Sequence, residues 1–187
     1  MVVAVGVVLG LAGCSPDPAV TPTASASSPL VGLPAPMASP AKPAQWADNG
    51  EAGADAAALW FARDAYAYVR ETNDATDWQA LSTPDCEFCA GVASDAAAQA
   101  TLGQVSREGR WDVTVTRTQE LNPLAFAVLV DFDKPSTEVL RADGSSVATT
   151  EGAHGQMLLV LHREGPNWLL RGGQWFEKGA VVPTAAP

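Results

Sequence analysis

The hydrophobic period of this chain changes once, and that change restricts it to a mixed fold with helices first and strands after. From about Ala54 to Glu71 apolar residues fall at Ala58, Leu59, Phe61, Ala62, Ala65, Tyr66, Tyr68 and Val69. Arg63, Asp64, Arg70 and Glu71 lie opposite, which is the spacing of an amphipathic helix with one wide buried face and Trp60 at its boundary. Thr72-Asn73-Asp74 breaks this helix, and Ala75 to Leu81 reads as a short second one that turns Trp78 and Leu81 inward. Ser82 or Thr83 then offers an N-cap and Pro84 a preset first turn, with Asp85 and Glu87 at the positive helix end. A third helix is therefore expected through Ala90, Val92, Ala93, Ala96, Ala97 and Ala100 toward Leu102, ended by Gly103.

After Gly109 the period is two. Trp111, Val113 and Val115 alternate with Asp112, Thr114 and Thr116, a strand with one wet face. Asn122-Pro123 marks a turn, and Phe126, Val128, Val130 and Phe132 alternate with Ala127, Leu129, Asp131 and Asp133 in a second strand. The stretches 139–141 and 147–150 flank Asp143-Gly144, a hairpin signal. Gln156 to Arg163 is almost continuously apolar, as a central strand would be, and Gly172-Gly173 predicts a bulge within the last strand, Trp168 to Glu177. Helices followed by a meander of bent antiparallel strands define an α+β class, with N-terminal helices packed on a curved antiparallel sheet.

Ahead of this domain the composition is of another kind. Residues 1–13 are an apolar run of signal-peptide length, too short to span a bilayer, with no Lys or Arg in front of it. The run ends in Leu11-Ala12-Gly13-Cys14, which resembles a bacterial lipobox and makes Cys14 the expected lipidated N-terminus of the mature chain. Two acyl chains on one cysteine are enough for stable anchoring. Eight of the fourteen prolines then fall between Ser15 and Pro43 amid Ala, Ser and Thr, with no aromatic residue, a composition that reads as an extended tether. The expected organisation is signal peptide at 1–13, lipidated cysteine and tether at 14–44, globular domain at 45–180 and a loose tail at 181–187. That places the domain at the extracytoplasmic face of the cell membrane, tethered through Cys14. A net charge of −10 excludes a nucleic-acid partner of the usual basic kind, and the envelope partner or small ligand is left unnamed.

The layout resembles the cone-shaped fold of nuclear transport factor 2 and its relatives, in which helices cover a curved sheet. An aromatic-rich first helix and the run Leu81-Ser82-Thr83-Pro84-Asp85-Cys86-Glu87-Phe88-Cys89, behind a lipobox and a proline-rich tether, are also similar to a family of actinobacterial lipoproteins catalogued only as a domain of unknown function, DUF6318. The similarity covers about residues 44–180 and implies a fold and a location but no activity.

Three chemistries compete for the marked residues. Cys86 and Cys89 stand three residues apart at a helix start, close enough for a disulfide in an oxidising compartment. The same spacing serves a redox dithiol, but Asp85 and Glu87 disfavour a thiolate and no βαβ unit precedes the pair. Only His154 and His162 are at hand to complete a metal site, so none is expected, and no cofactor either. For a pocket enzyme of the cone fold, Tyr66, Tyr68, Trp78, Asp131 and His162 are the side chains that would line the cavity. No nucleophile triad, phosphate loop or acidic metal cluster accompanies them, so the chain reads as a non-catalytic binding or interaction module. Pocket enzyme, small-ligand binder and thiol-redox lipoprotein are the alternatives.

Overall fold

The computed structural model describes residues 37–183. The expected signal run, Cys14 and the expected tether as far as residue 36 lie outside the described residues, as do residues 184–187. A short 3₁₀ turn at Ala44–Ala47 leads into α1 (Glu51–Leu59), a π-turn at Trp60–Ala65 and α2 (Tyr66–Thr72), which run on as one continuous rod. Next come α3 (Thr76–Ala80) and α4 (Glu87–Thr101). Seven strands follow: β1 (Gln104–Arg107), β2 (Asp112–Asn122), β3 (Ala125–Lys134), β4 (Thr137–Arg141), β5 (Ser146–Thr150), β6 (Ala153–Glu164) and β7 (Asn167–Glu177). All strand pairs are antiparallel, in a four-stranded sheet ordered β2-β3-β6-β7 and a three-stranded sheet ordered β1-β4-β5. The α+β class with helices on a curved antiparallel sheet is the one the period change predicts. The division into two sheets was not legible, because β1 is only four residues, Gln-Val-Ser-Arg, and carries no alternation.

Alternation decides what each strand buries. Phe126, Val128 and Val130 of β3 pair in register with Leu161, Leu159 and Met157 of β6, and this face meets the helices. The expected bulge in β7 lies opposite Val160 and Leu161 and brings Trp168, Leu170, Gly173 and Trp175 onto the same face. Gly173 is needed there: a Cβ would come within 2.5 Å of the Phe88 ring. Against this face the helices place Phe61, Trp78 and Phe88. The rings of Phe61 and Trp78 stand 5.8 Å apart, those of Trp78 and Phe88 6.0 Å, in edge-to-face contact. At the open end of the cone Trp175 packs on Tyr66, Phe88, Trp111 and Phe132, yet remains 40% exposed.

Two polar links hold the layers in place. Glu108, between β1 and β2, is buried and accepts from the Trp111 Nε1 (3.1 Å) and the Thr137 hydroxyl (2.6 Å), while Lys134 Nζ stands 3.5 Å away. A buried carboxylate is tolerable only when partnered in this way, and these partners tie the ends of both sheets together. Arg163 donates to the carbonyls of Trp46 (2.8 Å) and Ala47 (3.3 Å), so the 3₁₀ turn is clamped to β6. Ser39 donates to Asp77 and Lys42 to Asn167. The last residues of the expected tether are thus already a strap lying on the domain.

Candidate functional site

The space between helices and sheet, where a cone-fold pocket would be, is filled. Phe61, Ala62, Tyr66, Trp78, Phe88, Met157 and Leu159 enclose it and leave no room for a water molecule. Of the five residues expected to line it, Tyr66 and Trp78 do meet there, with ring centroids 6.2 Å apart. Trp78 is 2% exposed and donates from Nε1 to the Cys89 carbonyl, which anchors it as core. Burial holds the Tyr66 phenol above its ordinary pKa, and the carboxylates of Glu108 and Asp95 push in the same direction against Arg70.

The other three lie elsewhere. Tyr68 points its hydroxyl at Asp74 (2.9 Å) on the outside of the helical layer. Asp131 pairs across the sheet with Gln156, which donates to it at 2.7 Å, and His162 pairs with Ala125 and Leu169. In register these positions alternate with the helix-facing residues, so Asp131 and His162 occupy the face turned away from the helices. They do not face the interior, contrary to expectation, because the strand period assigns Val130 and Leu161 to it. His154, the second histidine, makes an exposed 3.1 Å contact with Asp133. Among the described residues no group of metal-ligating side chains is assembled.

Cys86 and Cys89 are joined by a disulfide with 5.2 Å between Cα atoms, and the two residues are 2% and 3% exposed. The helix they mark begins later than expected. The N-cap of α4 is Cys86 itself, whose Sγ accepts from the Cys89 N–H at 3.2 Å, so Pro84 and Asp85 belong to the preceding turn. A shallow groove of about 250 Å³ runs beside the pair, past Gln79, Ser82, Thr83 and Ala93.

A larger concavity lies where no sequence motif marks one. It measures about 480 Å³, between the strap residues Ala41, Pro43 and Gln45 and the rod residues Ala52, Asp55, Ala56, Leu59, Trp60, Arg63 and Asp64, a size typical of small-ligand sites. The π-turn shapes it. There the Tyr66 N–H reaches back to the Phe61 carbonyl, one residue further than in an α-helix. Trp60, Phe61, Ala62, Asp64 and Ala65 are all buried along the π-turn, and only Arg63 is partly exposed. Two expectations fail because other elements cover this side of the rod: Trp60 is 2% exposed rather than half-covered, with the Trp46 ring edge-on at 5.2 Å, and Asp64 is buried rather than on the wet side, beneath Arg63 and Arg110.

Asp64 is held by Arg63 Nη2 at 3.1 Å and by Arg110 Nε at 3.3 Å. Asp55 accepts from the Thr118 hydroxyl through Oδ1. Arg63 gives Nε and Nη2 to Asp64, and among the described residues no hydrogen bond takes up its Nη1 or the Asp55 Oδ2, which border Ala52, Ala56, Leu59 and Trp60 in the groove. No sequence periodicity announces a π-turn, and nothing in the sequence sets Asp55, Arg63 and Asp64 apart as one site.

No curated protein matches this sequence. Among solved structures the chain is similar to the intermembrane space region of the chloroplast protein ARC6, with 12% identity, 65% of this chain and 92% of that one covered, and a TM-score of 0.46. It is also similar to a protein with a cystatin-like fold from Caulobacter vibrioides, with 16% identity, 68% and 89% covered, and a TM-score of 0.42. A third is the Kfla4162 protein from Kribbella flavida, with 15% identity, 67% and 89% covered, and a TM-score of 0.39. A family model matches residues 24–174, and the chain belongs to that family, the family of unknown function DUF6318.

Proposed function

We propose that the protein is a non-catalytic binding module, tethered to the extracytoplasmic face of the cell membrane through Cys14, whose ligand sits between the strap and the π-turn. The observation that carries the binding site is a groove of about 480 Å³ whose lining holds both Arg63 and Asp55, whereas the cone interior has no room for water and a concavity of about 470 Å³ beside Asn73 and Val105 has no cation in its lining. A guanidinium and a carboxylate over an apolar floor suit a ligand that carries an acceptor and a donor at its two ends with a small apolar body between. A short peptide terminus or another zwitterion of amino-acid type has that form. The lipobox and the proline-rich run support the tether. The thiol-redox alternative is weaker, since both cysteines are almost fully buried and acidic residues flank them.

Two measurements test the reading separately. Cys14→Ser is expected to move the protein from the membrane fraction to the soluble fraction, and unchanged membrane association would refute lipid anchoring at that residue. Calorimetric titration of the full chain with alanyl-alanine is expected to show binding that weakens about tenfold in Arg63→Gln, through loss of one charge-assisted hydrogen bond. Binding unaffected by that change, or no binding at all, would refute the groove as the site.

A further inference from the structure

Every sheet has edges, and an unprotected edge is a template for another strand. Four strands of this domain lie at an edge: β1, β5, β2 and β7. Three of them are guarded. On β1, the Gln104 carbonyl accepts from Asn73 Nδ2 at 2.7 Å and Arg107 donates to the Glu71 carbonyl at 2.8 Å, so α2 covers it. On β2, two register shifts interrupt the edge, Arg117 and Glu120 charge it, and Thr118 is tied to Asp55 of α1. On β7, Leu170 exchanges backbone hydrogen bonds with Leu81 (2.8 Å) and Thr83 (2.9 Å), and the bulge at Arg171 interrupts the register beyond it.

The fourth edge has no such guard. All five residues of β5, Ser146-Val147-Ala148-Thr149-Thr150, are exposed, so both faces of the strand are bare as well as its outer edge. The strand contains no Pro, Lys, Arg, Asp or Glu, and Val147 is 40% exposed. Its one irregularity, at Val147, lies at the turn end, and Ala148, Thr149 and Thr150 stay in regular register with Val139, Glu138 and Thr137. Among the described residues no backbone hydrogen bond reaches residues 146–150 except from β4.

We infer that β5 is an interaction surface that accepts an extended segment of another protein as an added strand, and that this segment is flanked by Lys or Arg. The charge around the edge selects the occupant. Asp143 precedes the strand with Arg141 beside it, Glu151 follows it, and Glu138 lies opposite Thr149, so three carboxylates against one guanidinium border an uncharged rail. An antiparallel second copy centred on Ala148 would set Glu151 of one chain opposite Ser145 and diagonal to Asp143 of the other, between chains that each carry −10. A basic-flanked strand gains the same backbone hydrogen bonds and meets opposite charge at both ends. This edge is separate from the strap groove, so either surface can fail without the other.

The test uses the full chain and three synthetic peptides: Lys-Thr-Val-Thr-Val-Thr-Lys, its counterpart with Glu at both ends, and the Lys-ended peptide N-methylated at every internal amide. Amide hydrogen exchange reports where each binds and fluorescence anisotropy how tightly. The expected result is slowed exchange in residues 146–150 with the Lys-ended peptide, about tenfold weaker binding of the Glu-ended one, and none of the N-methylated one. Protection confined to other strands, equal binding of all three peptides, or no binding would overturn the inference. Concentration-dependent self-association that protects residues 146–150 without peptide would overturn it in favour of a second copy.

Discussion

Two helical glycines make opposite predictions from the same substitution. By helix propensity alone, Gly53→Ala in α1 and Gly91→Ala in α4 should each stabilise the protein by about 0.5–1 kcal/mol, because alanine restricts the unfolded chain and suits a helix better. Their surroundings separate them. A Cβ on Gly91 meets nothing within 4 Å, so the full gain is expected there, a rise in Tm of about 1–4 °C. A Cβ on Gly53 would stand 2.0 Å from the Asp48 carbonyl oxygen, 2.8 Å from its carbon and 3.0 Å from Trp168 Nε1. The neighbour is backbone, and it is held: Arg163 grips the carbonyls of Trp46 and Ala47 just before it, and the Asp48 N–H donates to Gln45 at 3.0 Å. Either the strap lifts or the rod shifts. Overpacking of this kind costs about 3 kcal/mol, so the net loss is about 2 kcal/mol, a fall in Tm of about 4–8 °C. Thermal unfolding by circular dichroism, with urea titration at constant m-value, measures both variants on one scale. A Gly53→Ala protein that melts higher than the parent, in parallel with Gly91→Ala, would refute the close approach of strap and rod on which the groove depends.

Two further outcomes follow from the polar contacts. Replacing both Cys86 and Cys89 with serine removes a loop closure worth about 2 kcal/mol on the chain-entropy relation. The fold should survive, since the Phe61, Trp78 and Phe88 rings remain stacked, but Tm should drop by about 4–8 °C. In the parent, thiol labelling without denaturant should find neither cysteine, and labelling under those conditions would contradict their closure and burial. The Thr76 hydroxyl and N–H, together with the Tyr68 hydroxyl, hold the Asp74 carboxyl below its ordinary pKa. A depressed carboxylate pKa contributes stability above the unfolded-state value near 3.9, and that contribution is lost as pH falls through the lower folded-state value. Asp74→Asn should therefore be less stable than the parent near neutral pH and converge with it below about pH 3; a stability difference independent of pH would show that the carboxylate charge is not responsible.

What the sequence determined by itself is whatever depends on neighbours along the chain. The change of period placed the helices before the strands, Asp143-Gly144 marked the β4-β5 hairpin, and Gly172-Gly173 marked the bulge in β7. The aromatic content of the first helix and of the strands also fixed that a large apolar interior would have to form. Tertiary structure decided how that interior is used. Whether a cone holds a ligand or its own side chains depends on ring sizes meeting across elements far apart in sequence, and here Phe61, Trp78, Phe88, Met157 and Leu159 close it. The face of the sheet that Asp131 and His162 occupy followed from which strand face the helices cover, a choice that periodicity leaves open. The π-turn is the clearest case. A wider helical turn has no pattern in the sequence, and the burial of Trp60 and Asp64 along it depends on Trp46 and Arg110, which reach them from other elements.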